Sequence, residues 1–119
     1  MISQPLRAET RHTPGVAIIA LHGDIDGSEE ATLQQAYAAA TQDNADPVLL
    51  NFGGVGYINS TGIALIVGLL ARARKEKRPL LACGLSEHYR EIFEITRLSD
   101  FMQTFPDEHA AVKASTHAG

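Results

Sequence analysis

The 119-residue sequence has no tryptophan and only one cysteine, Cys83, and it has no apolar run long enough to cross a membrane. The longest candidate run, 63–73, is interrupted by Gly68 and Arg72 and is shorter than the ~18–20 residues that a span needs. A lone cysteine excludes an intramolecular disulfide, and the segment 1–5 lacks the basic and apolar regions of a secretory signal. We therefore expect a cytoplasmic protein that does not insert into a membrane.

The charge is modest and acidic. Ten Lys and Arg residues against 14 Asp and Glu give a net charge of −4 and an isoelectric point near 5.6. This balance provides no general attraction to nucleic acid. The basic run at 72–78 falls at the predicted end of a helix, where cations complement the helix dipole, so we expect it at most to steer an acidic partner. The length predicts one domain over residues 1–119.

The common catalytic and metal-binding motifs are missing. A P-loop requires a Gly-Lys pair, and the sequence contains none. The run that starts at Gly54 lacks the third glycine of a dinucleotide site, because Asn59 occupies that position. The segment 24–35 lacks the central glycine and the final glutamate of a calcium loop, and the histidines lack the paired spacing of metal ligands. Ser60 is not in a Gly-x-Ser-x-Gly elbow. The sequence thus predicts a protein that is not an enzyme and binds no cofactor or metal.

Apolar periodicity and turn residues predict an α/β fold. Two strands flank the turn signal Thr13-Pro14-Gly15 and form an N-terminal hairpin. Strands and about four amphipathic helices then alternate, which predicts a mixed β-sheet covered by helices. The predicted strands are 6–11, 16–22, 48–52, 80–84 and 101–105, and the predicted helices begin at 28, capped by Ser28, at about 60, at 86 and at 106.

The segment Asn59-Ser60-Thr61-Gly62 lies where the chain turns from a strand into a helix. The start of a helix offers unpaired N–H groups and a partial positive charge. The hydroxyl of Ser60 is therefore either a helix cap or a phosphate site, and both interpretations stay open at this point.

The helix after this segment is apolar on two sides. At 100° per residue, one arc should face the core, and it contains Ile63, Ile66, Val67, Leu70 and Ala73. Leu65 and Leu69 are predicted to project from nearly the opposite side. With them, an outward strip close to Ser60 would contain Thr61, Ala64, Gly68 and Arg72. Such a helix is either enclosed in the core or presented to a partner.

The order of elements and motifs resembles the STAS domain, specifically the stand-alone bacterial anti-sigma factor antagonists. The resemblance covers nearly the whole chain. It rests on the turn Leu21-His22-Gly23-Asp24-Ile25-Asp26, the run 48–52 followed by Val55 and Tyr57-Ile58, the Asn59-Ser60-Thr61-Gly62 segment, and the ending at 101–112. It implies a STAS-type fold.

The resemblance also implies a function and a set of site residues. Ser60 stands at the position of the phosphorylatable serine, and Asp24 and Asp26 stand in a loop near it. The implied partners are a serine-kinase anti-sigma factor, which the unphosphorylated domain binds so that a sigma factor is released, and a metal-dependent serine phosphatase. The predicted partner-binding residues are Asp24, Asp26, Asn59, Thr61, Gly62, Leu65, Leu69 and Arg72. Asn51 and Asn59 depart from the family, which commonly has acidic residues there.

Two other functions remain open from the sequence. A STAS-like accessory or ligand-binding subunit could regulate a transport system without phosphorylation. A phosphoacceptor receiver domain would instead require an aspartate at the strand end where Asn51 stands. Capture of an anti-sigma factor would favour the anti-sigma factor antagonist, whereas capture of a transport ATPase subunit would favour the transport function.

Overall fold

The computed structural model describes the backbone of residues 4–117 and the side chains of residues 4–115. The segment 1–5 was predicted to contain no secretory signal. Residues 1–3 of that segment lie outside the described residues. Short 3-10 turns span Gly27–Glu29 and Leu98–Asp100. The strands and helices are β1 (Arg7–Thr13), β2 (Val16–Ile25), α1 (Glu30–Thr41), β3 (Val48–Ile58), α2 (Ser60–Lys75), β4 (Leu80–Cys83), α3 (Glu87–Ile95), β5 (Gln103–Phe105) and α4 (Glu108–His117).

The strands form one mixed sheet in the order β1-β2-β3-β4-β5. Strands β1 and β2 are antiparallel, and the Thr13↔Val16 pair closes the predicted hairpin, with Gly15 at a φ of 87° in its turn. Strands β2 to β5 are parallel, so a helix connects each to the next. This architecture confirms the predicted α/β fold with an N-terminal hairpin and four helices.

Alternating residues of the strands face two separate apolar cores. Ile19 and Leu50 belong to the larger core, which α1, α2 and α3 cover. Ile18 and Leu49 face the opposite side of the sheet, where Ala111 of α4 packs against them. Both strands are therefore buried on both faces, as the unbroken apolar runs of their sequence predict. Among the described helices, none is long and apolar enough to span a membrane.

Two predicted element boundaries near the β2–α1 connection and along β3 are wrong. Ser28 was predicted to cap α1, but it lies inside the 3-10 turn Gly27–Glu29, which is capped by Asp26, whose carboxylate accepts the Ser28 N–H at 2.8 Å. The residue at the cap position of α1 is Glu29, whose side chain makes no capping hydrogen bond. The turn Gly27–Glu29 then precedes α1. Strand β3 runs to Ile58 and does not end near Phe52, because β2 continues beside it through two register irregularities. The longer strand carries the chain directly to the start of α2.

Candidate functional site

Ser60 is the first residue of α2, and its side chain is exposed. It follows β3 after a single connecting residue, Asn59, at the end of the sheet where β2 also terminates. Among the described residues, none shares a side-chain hydrogen bond with the Ser60 hydroxyl. The geometry therefore leaves this hydroxyl free for chemistry.

Asn59 is the cap of α2. Its Oδ1 accepts hydrogen bonds from the backbone N–H of Gly62 and from the hydroxyl of Thr61, both at 2.8 Å. Asn59 has an extended backbone, which is typical of an N-cap residue. Of the two roles that the sequence left open for Ser60, capping thus belongs to its neighbour. The amide accepts both hydrogen bonds without carrying a charge.

Thr61 connects the start of α2 to the turn after β2. Its hydroxyl oxygen accepts the backbone N–H of Gly27 at 2.9 Å. The same hydroxyl donates to Asn59, so both its donor and its acceptor capacity are used inside the protein. Thr61 therefore positions the turn beside Ser60.

Gly62 allows α2 to approach the end of β2. A Cβ atom at this position would lie 2.1 Å from the carbonyl oxygen of Ile25, which is far inside van der Waals contact. The same carbonyl accepts the N–H of Asn59 at 3.2 Å. The predicted site residue Gly62 is consequently buried, and its role is to permit this close packing.

The two aspartates of the β2 end have different surroundings. Asp24 pairs with Tyr57 across the sheet, and its carboxylate accepts the backbone N–H of Gln4. Asp26 lies in the turn next to Gly27, and hydrogen bonds from the Ser28 hydroxyl and N–H hold its pKa below the usual value. Through Gly27 and Thr61, the contacts connect Asp26 to the start of α2, whereas Asp24 is held by the N-terminal segment.

The predicted orientation of α2 is partly wrong. Leu69 was placed on the outward strip, but it is 0% exposed and lies in the core. Val67 was placed in the core, but it is 45% exposed. Leu65 is half-buried and packs against the core, so it too is not on a free surface. Gly62, which packs closely against Ile25, lies on the buried face and agrees with the observed rotation of the helix about its axis.

The exposed face of α2 nevertheless begins at Ser60 and carries no charge for three turns. Charged residues are absent from the helix between Ser60 and Arg72. The exposed residues along it after the serine are Thr61, Ala64, Val67, Gly68 and Ala71. An uncharged outward face does exist beside Ser60, and Thr61, Ala64 and Gly68 lie on it as predicted. Val67 and Ala71 complete it in place of the predicted Leu65, Leu69 and Arg72.

Arg72 is engaged inside the protein. Its guanidinium donates to Gln34 at 2.6 Å, lies 4.6 Å from the ring centroid of Tyr37 and pairs with Glu76 at 3.5 Å. These contacts join α2 to α1. The prediction that Arg72 belongs to the free outward strip is therefore wrong, because three neighbours already hold its side chain.

Tyr57 is an exposed aromatic residue that the predicted site lacks. It lies three residues before Ser60 and is 57% exposed. The neighbouring Ile58 is buried, so the alternation of a strand places Tyr57 outward. That alternation was visible in the sequence, but the glycines before Tyr57 obscured the continuation of β3.

Asn51 lies on the other side of the sheet from α2. Its amide nitrogen donates to the Glu108 carboxylate at 2.7 Å, and its side-chain oxygen accepts the Gly53 N–H at 2.8 Å. Arg11 also pairs with Glu108. An acidic residue at position 51 would face the Glu108 carboxylate without a proton to donate. Asn51 therefore suits this chain for a structural reason.

No group of three or more His, Cys, Asp or Glu side chains in the described part of the chain is arranged to hold a metal ion. Cys83 is fully buried in β4. Burial first, and the carboxylates of Glu108 and Asp107 second, raise the pKa of its thiol to about 11. The thiolate that nucleophilic chemistry requires is thus strongly disfavoured.

Comparison with known proteins adds a family and a fold. The family model described as "STAS domain" matches residues 7–111. An anti-sigma-B factor antagonist of Staphylococcus aureus is 31% identical over 80 residues, which is 67% of this chain and 74% of that protein. The crystal structure of an anti-sigma factor antagonist from Mycobacterium paratuberculosis has a TM-score of 0.78 at 20% identity and covers 93% of this chain and 94% of its own.

A third comparison concerns a structure in a modified state. The Bacillus cell fate determinant SpoIIAA in its phosphorylated form has a TM-score of 0.62 at 18% identity, with 90% of this chain and 98% of that chain covered. At this identity, the similarity shows that the two proteins share a fold.

Proposed function

The chain belongs to the STAS-domain family, and on that premise we propose that it is an anti-sigma factor antagonist controlled by phosphorylation of Ser60. In its unmodified form it binds a serine-kinase anti-sigma factor and so releases a sigma factor. Phosphorylation breaks that complex, and a metal-dependent serine phosphatase restores it. The named relatives are regulatory proteins, which agrees with the prediction that this chain is not an enzyme.

The observation that carries the proposal is the free, exposed hydroxyl of Ser60 at the start of α2. Asn59 takes over the capping that a serine at this place usually performs. A kinase can therefore modify Ser60 without breaking a hydrogen bond that holds the helix. The proposal is supported by the solved phosphorylated form of SpoIIAA, a protein of the same fold.

Electrostatics account for both the tolerance of the phosphate and its effect. The group adds about −1.5 to −2 charges at pH 7, and the positive end of a helix stabilises such a charge. A partner that covers both Ser60 and the adjoining Asp26 turn would have to desolvate the phosphate together with the Asp26 carboxylate, whose pKa is held low, and this is costly. The switch consequently acts through surface charge and needs no refolding of the domain.

The uncharged face of α2 provides the adjoining contact surface. Val67 and Ala64 lie on it after Ser60, and Tyr57 adds an exposed aromatic ring before Ser60. Aromatic residues are enriched at protein interfaces, while charged residues are depleted from interface centres. We propose that the anti-sigma factor binds this surface and that Ser60 lies within the interface, near its periphery.

Phosphorylation is tested by incubating the protein with its cognate kinase and ATP and analysing intact protein and fragments by mass spectrometry. One phosphate on Ser60 is expected, and Ser60→Ala should take up none. Ser28→Ala is the matched control, because Ser28 is also exposed but its hydroxyl is bonded to Asp26. Absence of phosphate from Ser60, or equal labelling of the Ser60→Ala variant, refutes the proposal.

The identity of the partner is tested by affinity capture from native extract with the wild-type protein and with Ser60→Asp. The proposal requires that the wild type captures a histidine-kinase-like anti-sigma factor and that Ser60→Asp captures much less. Equal capture of a transport ATPase subunit by both proteins would instead assign the chain to a transport system.

A further inference from the structure

The basic run that ends α2 contains two kinds of side chain. Arg72 and Arg78 point inward: both pair with Glu76, and Arg78 also donates to the backbone carbonyl oxygen of Asn44 at 2.8 Å. Arg72 connects α2 to α1, and Arg78 connects the segment after α2 to the α1–β3 loop. Both guanidinium groups are therefore engaged by contacts within the protein.

Arg74, Lys75 and Lys77 have no such partners. All three are exposed, and in the part of the chain that the structure describes none of them forms an ion pair with an acidic side chain. The guanidinium carbon of Arg74 lies 4.5 Å from the ring centroid of Phe101. This end of α2 consequently presents unbalanced positive charge to solvent.

Phe101 is an exposed aromatic residue, with 55% of its surface accessible. It follows the turn Leu98–Asp100, and the Arg74 guanidinium lies over the face of its ring. The acid beside it, Asp100, is already paired with Arg97 at 2.9 Å. Asp100 is therefore paired with another cation and not with Arg74.

We propose that Arg74, stacked on Phe101, is the centre of a second docking site that takes a carboxylate-bearing segment of a partner protein. A guanidinium stacked on a ring keeps its in-plane N–H donors free, and these donors match a carboxylate in a bidentate arrangement. The ring restrains the side chain in advance, which lowers the entropy lost on binding. Lys75 and Lys77 add an attractive field for an acidic segment.

This site is separate from the surface around Ser60. Arg74 follows Ser60 by fourteen residues, which is about 21 Å along a helix. Binding at Arg74 is therefore independent of the phosphate on Ser60. Three free cations are fewer than the array of phosphate contacts that nucleic-acid binding uses, and the chain as a whole has a charge of −4. These facts favour an acidic protein segment over a nucleic acid.

The test titrates isotope-labelled protein with a short, blocked peptide of alternating glutamate and leucine while amide and arginine Nε–H resonances are recorded. Shifts should be centred on Arg74 and Phe101. Arg74→Lys, which keeps the charge but loses the planar fork, and Phe101→Leu, which removes the ring, should each bind about tenfold more weakly. Arg90→Gln is the control, because it removes one exposed cation from α3.

Each outcome decides the proposal. Localised shifts together with loss in Arg74→Lys and Phe101→Leu, but not in Arg90→Gln, support it. Wild-type affinity in Arg74→Lys would show a diffuse charge effect and overturn it. Stronger binding of a DNA duplex or of phosphatidylserine vesicles than of the peptide would overturn it as well. The spectra themselves show whether each variant is folded, and the Ser60 phosphorylation assay is unaffected by any of these results.

Discussion

The backbone N–H of Gly27 donates to the hydroxyl oxygen of Thr61 at 2.9 Å. This hydrogen bond joins the turn after β2 to the first turn of α2, although 34 residues separate the two in sequence. Thr61 also donates to Asn59, the cap of the helix. The Asp26 turn and the exposed Ser60 are therefore parts of one connected surface.

Removing the Thr61 hydroxyl should loosen this connection. We expect Thr61→Val to lower the free energy of unfolding by about 1 kcal/mol and to speed hydrogen exchange at Gly27, because the amide loses its acceptor. Native-state exchange and urea unfolding measure the two effects. Thr61→Ser, which keeps the hydroxyl, should behave like the wild type. Unchanged exchange at Gly27 in Thr61→Val would show that the contact does not hold the turn.

Replacing Asn59 separates its capping role from its lack of charge. Asn59→Ala should cost about 1 kcal/mol of stability, because the Gly62 N–H loses its acceptor. Asn59→Asp keeps an acceptor and should keep the stability. In the phosphorylated protein, however, the added carboxylate should raise the second pKa of the Ser60 phosphate, since like charges disfavour ionisation. Thermal unfolding and a phosphorus NMR titration measure these effects, and a phosphate pKa that does not move would contradict the placement.

The corrected rotation of α2 predicts opposite effects for two neighbouring hydrophobic residues. Leu69→Glu buries a charge in the core and should abolish the folded state or lower its stability by more than about 3 kcal/mol. Val67→Glu should change stability by less than about 0.5 kcal/mol while weakening anti-sigma factor binding about tenfold. Ala114→Glu adds the same charge on α4 and serves as the control. A stable Leu69→Glu protein with weakened binding would contradict this account and support the orientation predicted from the sequence, in which Leu69 faces outward.

Tyr37 makes stability depend on alkaline pH. Burial first, and then the hydrogen bond to Glu76, raise the pKa of its hydroxyl from 10.0 to about 12. The unfolded chain thus loses this proton near pH 10 while the folded protein retains it, so the stabilisation is complete below pH 10 and is lost between pH 10 and 12. The loss amounts to about 2–3 kcal/mol.

Denaturant unfolding across that range tests the assignment. Tyr37→Phe should be less stable than the wild type at pH 8, because it lacks the bond to Glu76, but the difference should shrink as the pH rises. Cys83 also ionises in this range, and it contributes equally to both proteins. A constant difference between the two proteins from pH 8 to 12 would contradict the role of Tyr37.

The fold was predictable because its signals are local. The turn residues Thr13-Pro14-Gly15 predicted the hairpin, and the predicted helix start at Ser86 agrees with α3, which Ser86 caps. The rotation of α2 was not predictable in the same way, because apolar residues cover more than half of its circumference. The buried face lies about 50° from the predicted arc, and Gly62, which packs closely against Ile25, lies on it. Such long-range contacts have no signature in a helical pattern.

Part of the candidate site was also predictable from local sequence signals. Ser60 and its neighbours were found because they follow a strand and begin a helix. The choice between Asn59 and Ser60 as the cap depends on one residue of register, which a pattern does not resolve. The partners of Arg72 lie on α1, so its internal role appears only when the helices are packed.

The most direct test of the central claim is the affinity of the cognate anti-sigma factor for the unmodified protein and for the protein fully phosphorylated on Ser60, measured by titration calorimetry. We predict tight binding of the unmodified form, at least about tenfold weaker binding of the phosphorylated form, and full recovery after phosphatase treatment. Equal affinity of the two forms would contradict the account.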